Sequence, residues 1–355
     1  MAVSMDGGGR EAVKSIFNVL GPDAVLSALK DERALVRRAA VDEVVSVRDP
    51  RAAPVLVELL ADKDFDVQCA AVFACGHLRV AIASRPLIDM IAAQGTDPDL
   101  RRDCMRSIGR VGGQLAFSVL QQSMASPNQD DKEAALRGLG ELRDPRAAHL
   151  LAEFAVLGHG KALGRLARLH LQRQGAPMAV PALRRQIPLA KDERIRAELV
   201  LLLALYQDPL NVPDLMDLLR KPKFAAQTVA LLEGATGVDL QSVTDRVTVI
   251  EAWWRKNKDI AQWQWLLGAL RGKDVATTLG LEDFASDANM SAVPELARLM
   301  VEVEHPRLWV LCSAVMRTVS GQDYGIVTEH MPAGVRQGIA GRYLVAAETA
   351  RDEKR

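Results

Sequence analysis

The chain has 355 residues, with 45 lysines and arginines against 45 aspartates and glutamates, 49% hydrophobic residues and 4% aromatics. Such a composition is globular and not disordered, and a single core rarely grows past roughly 250–300 residues, so the chain is two domains or an elongated repeat array. Zero net charge counts against a protein that coats nucleic acid non-specifically, because that binding is mostly phosphate neutralisation. Scarce aromatics beside abundant Ala, Leu, Val and Arg favour helices.

Residues 1–10 contain no apolar stretch of the signal-peptide kind, and residues 1–30 are expected to form an N-terminal cap region. The longest apolar run, Leu199 to Tyr206 between Glu198 and Asp208, is eight residues, where a spanning helix takes about 20. Cys69, Cys75, Cys104 and Cys312 form no CxxC and sit in apolar helical stretches. They read as buried free thiols in a reducing compartment, so a cytoplasmic location is expected.

From residue 31 the sequence repeats. Arg48-Asp49-Pro50-Arg51-Ala52-Ala53 recurs as Arg143-Asp144-Pro145-Arg146-Ala147-Ala148. Pro50, Pro145, Pro177 and Pro209 occupy one phase, and Pro54, Pro86, Pro181 and Pro213 another. Read through Ser118 and His149, the second phase marks positions 54, 86, 118, 149, 181 and 213, spaced 32, 32, 31, 32 and 32. Six units of this length, over 31–220, each predict two helices that cannot bury their faces alone but can when stacked. The first segment opens on acidic residues, as Asp31-Glu32 and Asp64. In the second, Asp49, Asp144 and Asp208 serve as N-caps with proline following, as suits a first helical position.

The run Leu35-Val36-Arg37-Arg38-Ala39-Ala40 after Asp31-Glu32, followed by Asp49-Pro50 and Val55 to Leu60, resembles the short HEAT-like repeats of the family named for phycobilisome lyases. The ankyrin T-P-L-H and tetratricopeptide signatures are absent. The resemblance covers roughly 31–220 and implies an all-α, right-handed α-solenoid of stacked antiparallel helix pairs, first helices convex and second helices concave. It implies a binding scaffold more than an enzyme.

After Pro213 the lattice breaks, and 221–355 reads as elaborated helical repeats with long insertions. Pro222…Thr236-Gly237-Val238-Asp239 matches Pro306…Ser320-Gly321-Gln322-Asp323 at an offset of 84, and Val212-Pro213-Asp214-Leu215 echoes Val293-Pro294-Glu295-Leu296. Each copy predicts a helix closed by glycine at C′, with an aspartate two positions later capping the next segment. Thr-Gly-x-Asp followed by Ala252-Trp253-Trp254-Arg255-Lys256-Asn257 is similar to an elaboration in some bacterial HEAT-repeat proteins; Gly341-Arg342-Tyr343-Leu344 in the second copy lacks the tryptophan pair. Residues 272–289 read as a loop or weak helix.

Signs of chemistry are few. Histidines 77, 149, 159, 170, 305 and 330 offer neither HExxH nor zinc spacing, and no G-x-S-x-G occurs. Gly158-His159-Gly160-Lys161 departs from a phosphate loop at Ala155 and Ala162. No catalytic residue, metal or cofactor is expected. Three features remain. Four residues after each second-phase position stand Glu58, Met90, Gln122, Glu153, Arg185 and Asp217, five of them polar, expected as one exposed column along the inner face. Residues 161–196 hold nine basic against two acidic residues, with Lys161, Arg165 and Arg168 on one helical stripe opposite Leu163, Leu166 and Leu169. This is a solvated face or an anion site for an acidic protein surface. Trp253, Trp254, Trp263 and Trp265 crowd into 13 residues, as a binding hot spot or as packing where the solenoid is interrupted. Trp253 and Trp254, about 100° apart on a helix, should bury unequally.

The expected partner is another protein docked on the second helices. Two rivals are a lyase-type subunit acting on a tetrapyrrole, suggested by the family's name, and a HEAT-like DNA-repair protein. Nucleic acid suits the neutral chain less well.

Overall fold

The computed structural model describes residues 21–157, 162–284 and 290–353. Among them are nineteen α-helices and no strand. The chain forms two compact units, Met1–His170 and Leu171–Arg355. No helix is long and apolar enough to cross a membrane among the described residues.

The first unit contains α1 (Pro22–Ala28), α2 (Ala34–Val47), α3 (Ala53–Glu58), α4 (Phe65–His77), α5 (Ser84–Ala92), α6 (Pro98–Val111), α7 (Gln114–Ser123), α8 (Gln129–Glu141) and α9 (Pro145–Leu157). The helix α10 (Ala162–Gln174) runs across the boundary. The first helices α2, α4, α6 and α8 pack each on the next, while α5 and α7 pack on the first helices beside them. This is the stacked helix-pair architecture that the repeats predict.

Local chemistry sets the helix starts. Asp49 accepts from Arg51 N at 2.9 Å, Asp144 from Arg146 N at 2.8 Å and Asp208 from Leu210 N at 3.0 Å. Asp64 caps α4 through Val67 N at 3.1 Å. The second-phase proline shapes the first turn in three repeats, at Pro54, Pro86 and Pro213, whereas Pro181 sits inside the helix Ala176–Gln186 without a 3₁₀ turn ahead of it. Proline lacks the N–H that would bond four residues back. So Pro50–Ala52 and Pro209–Asn211 are 3₁₀ turns ahead of Pro54 and Pro213. Where His149 replaces that proline, α9 is α-helical from Pro145 onward.

Glycines let the first helices touch along their backbones. A Cβ at Gly109 would lie 2.6 Å from the carbonyl carbon and Cα of Gly138, and one at Gly76 would lie 2.7 Å from Ser107 Oγ. A Cβ at Gly138 would meet the Met105 carbonyl.

The second unit holds α11 (Ala176–Gln186), α12 (Glu193–Ala204), α13 (Val212–Leu219), α14 (Pro222–Thr236), α15 (Arg246–Asn257), α16 (Gln262–Gly272), α17 (Val293–Glu302), α18 (Pro306–Ser320) and α19 (Ala333–Asp352). The duplication is visible in it. α14 and α18 each end on a left-handed glycine, Gly237 at φ 76° and Gly321 at φ 65°. The Thr236 and Ser320 hydroxyls accept from the N–H two residues on, at 3.2 and 3.1 Å. The two copies meet where α14 packs on α18. Residues 273–281 are loop, followed by a 3₁₀ turn at Glu282–Phe284.

The four cysteines are free. Burial pushes the Cys75 and Cys104 thiols up to about 12 and raises Cys312 as well. Cys69, expected to be buried, is only half-buried.

Candidate functional site

The second helices bury leucines and expose a polar residue beside them. In the first unit Leu56, Leu120 and Leu151 are 0% exposed, while Glu58, Gln122 and Glu153 are exposed and Met90 is half-buried. In the second unit Leu183 and Leu215 are buried, and Arg185 and Asp217 are exposed. Glu58 pairs with Lys30 at 3.6 Å, and Asp217 with Arg220, which also reaches Glu251. Arg185 has no carboxylate partner among the described residues. Its neighbour Arg184 is neutralised by Asp208.

The basic stripe differs from expectation. Lys161, with the rest of Gly158-His159-Gly160-Lys161, lies outside the described residues. Arg165 is exposed and Arg168 half-buried, but the leucines opposite them are not the buried face. Leu163 and Leu166 are half-buried and Leu169 is 42% exposed; Gly164, Ala167, His170 and Leu171 are buried instead. Small residues point inward because α10 comes very close to α8: a Cβ on Gly140 would overlap the His170 ring.

The tryptophans pack rather than project. Trp265 on α16 is 4% exposed, and its ring meets both Trp253 and Trp254 edge-on, at 5.1 and 5.9 Å between centroids. Trp253 and Trp254 are both half-buried. Trp265 fills the angle between them and covers both. Its indole N–H donates to the Asn257 carbonyl at 2.9 Å. Trp263 turns away to stack on Phe284 at 4.6 Å.

A site with no local sequence signal lies between the two duplicated copies. Glu233 of α14 is 0% exposed. One of its oxygens accepts from Leu240 N at 2.7 Å and Gln241 N at 2.9 Å, and the other lies 2.7 Å from Arg307 Nε. Burial raises the Glu233 carboxyl above its usual range against these three favourable partners. Arg307 stands between two small cavities. One, about 220 Å³, has a mixed lining, with Asp239 and Lys273 paired at 3.0 Å and with His305, Glu329, Val238 and Leu308 beside them. The other, about 200 Å³, is walled by Leu205, Leu231, Val310 and Val327. Matched charges of this kind suit a joint between modules. No group of three or more metal-ligating side chains occurs among the described residues.

Family models match residues 22–94 as HEAT repeats and residues 131–156 as a PBS lyase HEAT-like repeat. No curated protein matches the sequence. Among solved structures, the chain is similar to the complex of CpcE and CpcF of phycocyanin lyase from Nostoc sp. PCC7120, at 15% identity over 84% of this chain and 94% of that chain, with a TM-score of 0.34. It is similar to Escherichia coli YibA at 13% identity, over 77% of this chain and 98% of that one, TM-score 0.37. An engineered protein matches at 13% identity over 98% and 96%, TM-score 0.39. The chain thus carries HEAT repeats, with a unit of the PBS lyase HEAT-like type among them.

Proposed function

We propose that the chain is a cytoplasmic, non-catalytic scaffold that binds another protein through the second helices of its regular repeats, residues 31–220, with the elaborated segment 221–355 as its C-terminal part. One observation carries this reading: helices that bury Leu56, Leu120, Leu151, Leu183 and Leu215 expose Glu58, Gln122, Glu153, Arg185 and Asp217 two residues further on. Repeated presentation of varied polar groups from rigid helices is a recognition surface. Arg185 carries its most distinctive charge, because no carboxylate neutralises it among the described residues. Arginine is over-represented among interface residues whose loss is most costly.

Affinity purification from the native host, with mass spectrometry, tests this. Arg185→Glu should weaken the principal complex by at least about 1–2 kcal/mol, and Arg165→Glu should weaken it less. The reverse ranking would move the working surface to the first helices. A tetrapyrrole co-purifying with the chain would replace the scaffold reading with a lyase one.

A further inference from the structure

In the first unit the first helices end on a series of arginines. Arg48 follows α2, Arg79 lies just beyond α4, Arg110 sits in the last turn of α6, and Arg143 follows α8. Cations at helix C-termini complement the helix dipole, which accounts for arginine as a residue type. It does not account for the backbone. Arg48 and Arg79 adopt left-handed conformations, φ 59° and 54°, which glycine or asparagine enters at lower cost. Nor does it account for the side chains. Arg48, Arg79 and Arg143 are exposed, and no carboxylate pairs with them among the described residues. Among the described residues, only Arg110 of the series is matched, 3.7 Å from Glu141.

An open groove of about 600 Å³ separates the Asp49-Pro50 turn from the turn at His77–Ile82, and Arg48 and Arg79 both line it. Asp49, which also lines it, is occupied: Arg51 binds the carboxylate through Nη2 at 2.7 Å and Nε at 3.1 Å. The groove is therefore net positive. It is also apolar in part. Ile82, which lines it, is 59% exposed. Pro50 and Pro54 offer no N–H, so the wall they form lacks the backbone amides that cradle phosphates. Two guanidiniums unmatched among the described residues beside exposed aliphatic surface fit carboxylates with an apolar neighbour better than a phosphate backbone.

We propose that this groove binds an acidic segment of a partner protein, whose carboxylates pair with Arg48 and Arg79 while an apolar side chain covers Ile82. Packed helices stand about 8–10 Å apart and an extended chain advances about 3.3 Å per residue, so the two acidic residues are about three apart. This surface is additional to the second-helix ridge and does not depend on it.

Random peptides displayed on phage, selected on the full chain and then measured as labelled synthetic peptides by fluorescence anisotropy, test the proposal. Selected peptides should carry two acidic residues about three apart beside an apolar one, and added salt should weaken them. Arg79→Glu and Ile82→Asp should each weaken binding about tenfold or more, and Arg185→Glu should leave it unchanged. Arg48→Gly and Arg79→Gly remove the charge while relieving the backbone, so they should fold at least as stably and still lose the peptide. Selected peptides without acidic residues would overturn the proposal. So would binding lost only with Arg185→Glu, or single-stranded DNA binding more tightly at Arg48 and Arg79 than any peptide.

Discussion

Gly109→Ala probes the contact between α6 and α8. The new methyl carbon would sit 2.6 Å from the carbonyl carbon and Cα of Gly138, whereas carbon atoms settle at about 3.5–4.0 Å. The obstructing atoms are backbone, so no rotamer change relieves them, and the helices must part by roughly 1 Å. Gly338 in α19 is the control, since nothing lies within 4 Å of a Cβ added there. In such an open helical position alanine stabilises by about 0.5–1 kcal/mol. The same gain acts at Gly109, but overpacking against backbone belongs at the upper end of its usual range of about 1–3 kcal/mol. The net is a loss of about 2 kcal/mol for Gly109→Ala against a small gain for Gly338→Ala. Urea denaturation followed by circular dichroism should move the two midpoints in opposite directions at similar slope. A Gly109→Ala midpoint equal to or above wild type would refute the backbone-contact reasoning.

Three further outcomes are expected. Leu56→Ala, at a fully buried site, should cost about 2–5 kcal/mol, and Glu58→Ala, on the exposed ridge, should stay within about 0.5 kcal/mol; comparable denaturation midpoints would contradict this assignment. Arg298 holds the Glu295 carboxyl down at about 2 from an ordinary 4.5. Its stabilising effect is therefore full above the ordinary value and fades as pH falls towards the folded one, so Glu295→Gln should flatten acid destabilisation over that window, and an unchanged acid profile would count against it. Asp323 caps α11 through Ala176 N at 2.5 Å and lies 3.6 Å from the largely buried Arg317, so Asp323→Ala should cost about 3 kcal/mol, against less than about 1 for Asp239→Ala at the half-exposed Lys273 pair. Equal losses by thermal denaturation would remove that distinction.

The helix-pair architecture was legible because its signals are local and repeated. Aspartate before proline caps, proline shapes the first turn, and the glycines at 237 and 321 close helices, each within a few residues of the group it satisfies. Burial direction was less legible where backbones come close. A hydrophobic stripe at Leu163, Leu166 and Leu169 predicts an inward face, but tight helix approach selects Gly164 and Ala167 for that face and leaves Leu169 exposed. The exposure of Glu58, Gln122, Glu153, Arg185 and Asp217 was legible because polar residues interrupt apolar helices at a fixed register. The Glu233–Arg307 joint was not, because its partners are 74 residues apart and neither belongs to a spaced motif. Trp253 and Trp254 were ambiguous for a related reason. Their burial is decided by Trp265 from the following helix, which no periodicity within α15 encodes.

The duplicated copies share a helix closed by glycine and reverse the charge at one position within it. Glu233 and Arg317 are 84 residues apart, each four before a closing glycine. In the first copy a buried carboxylate holds the N–H groups of Leu240 and Gln241. In the second a guanidinium donates to the Tyr206 carbonyl at 2.6 Å and faces Asp323. Both devices satisfy backbone or turn groups near a helix end, one from the acceptor side and one from the donor side. The reversal also bears on which copy neighbours which. Arg307 of the second copy meets Glu233 of the first. Two first copies in tandem would offer Lys223, the residue at the position of Arg307, a flexible point charge in place of a planar fork. Two second copies would set Arg307 against Arg317, like against like in a buried joint. Charge at this joint thus disfavours a second copy beside another second copy, at positions that the shared glycines and prolines leave free to vary.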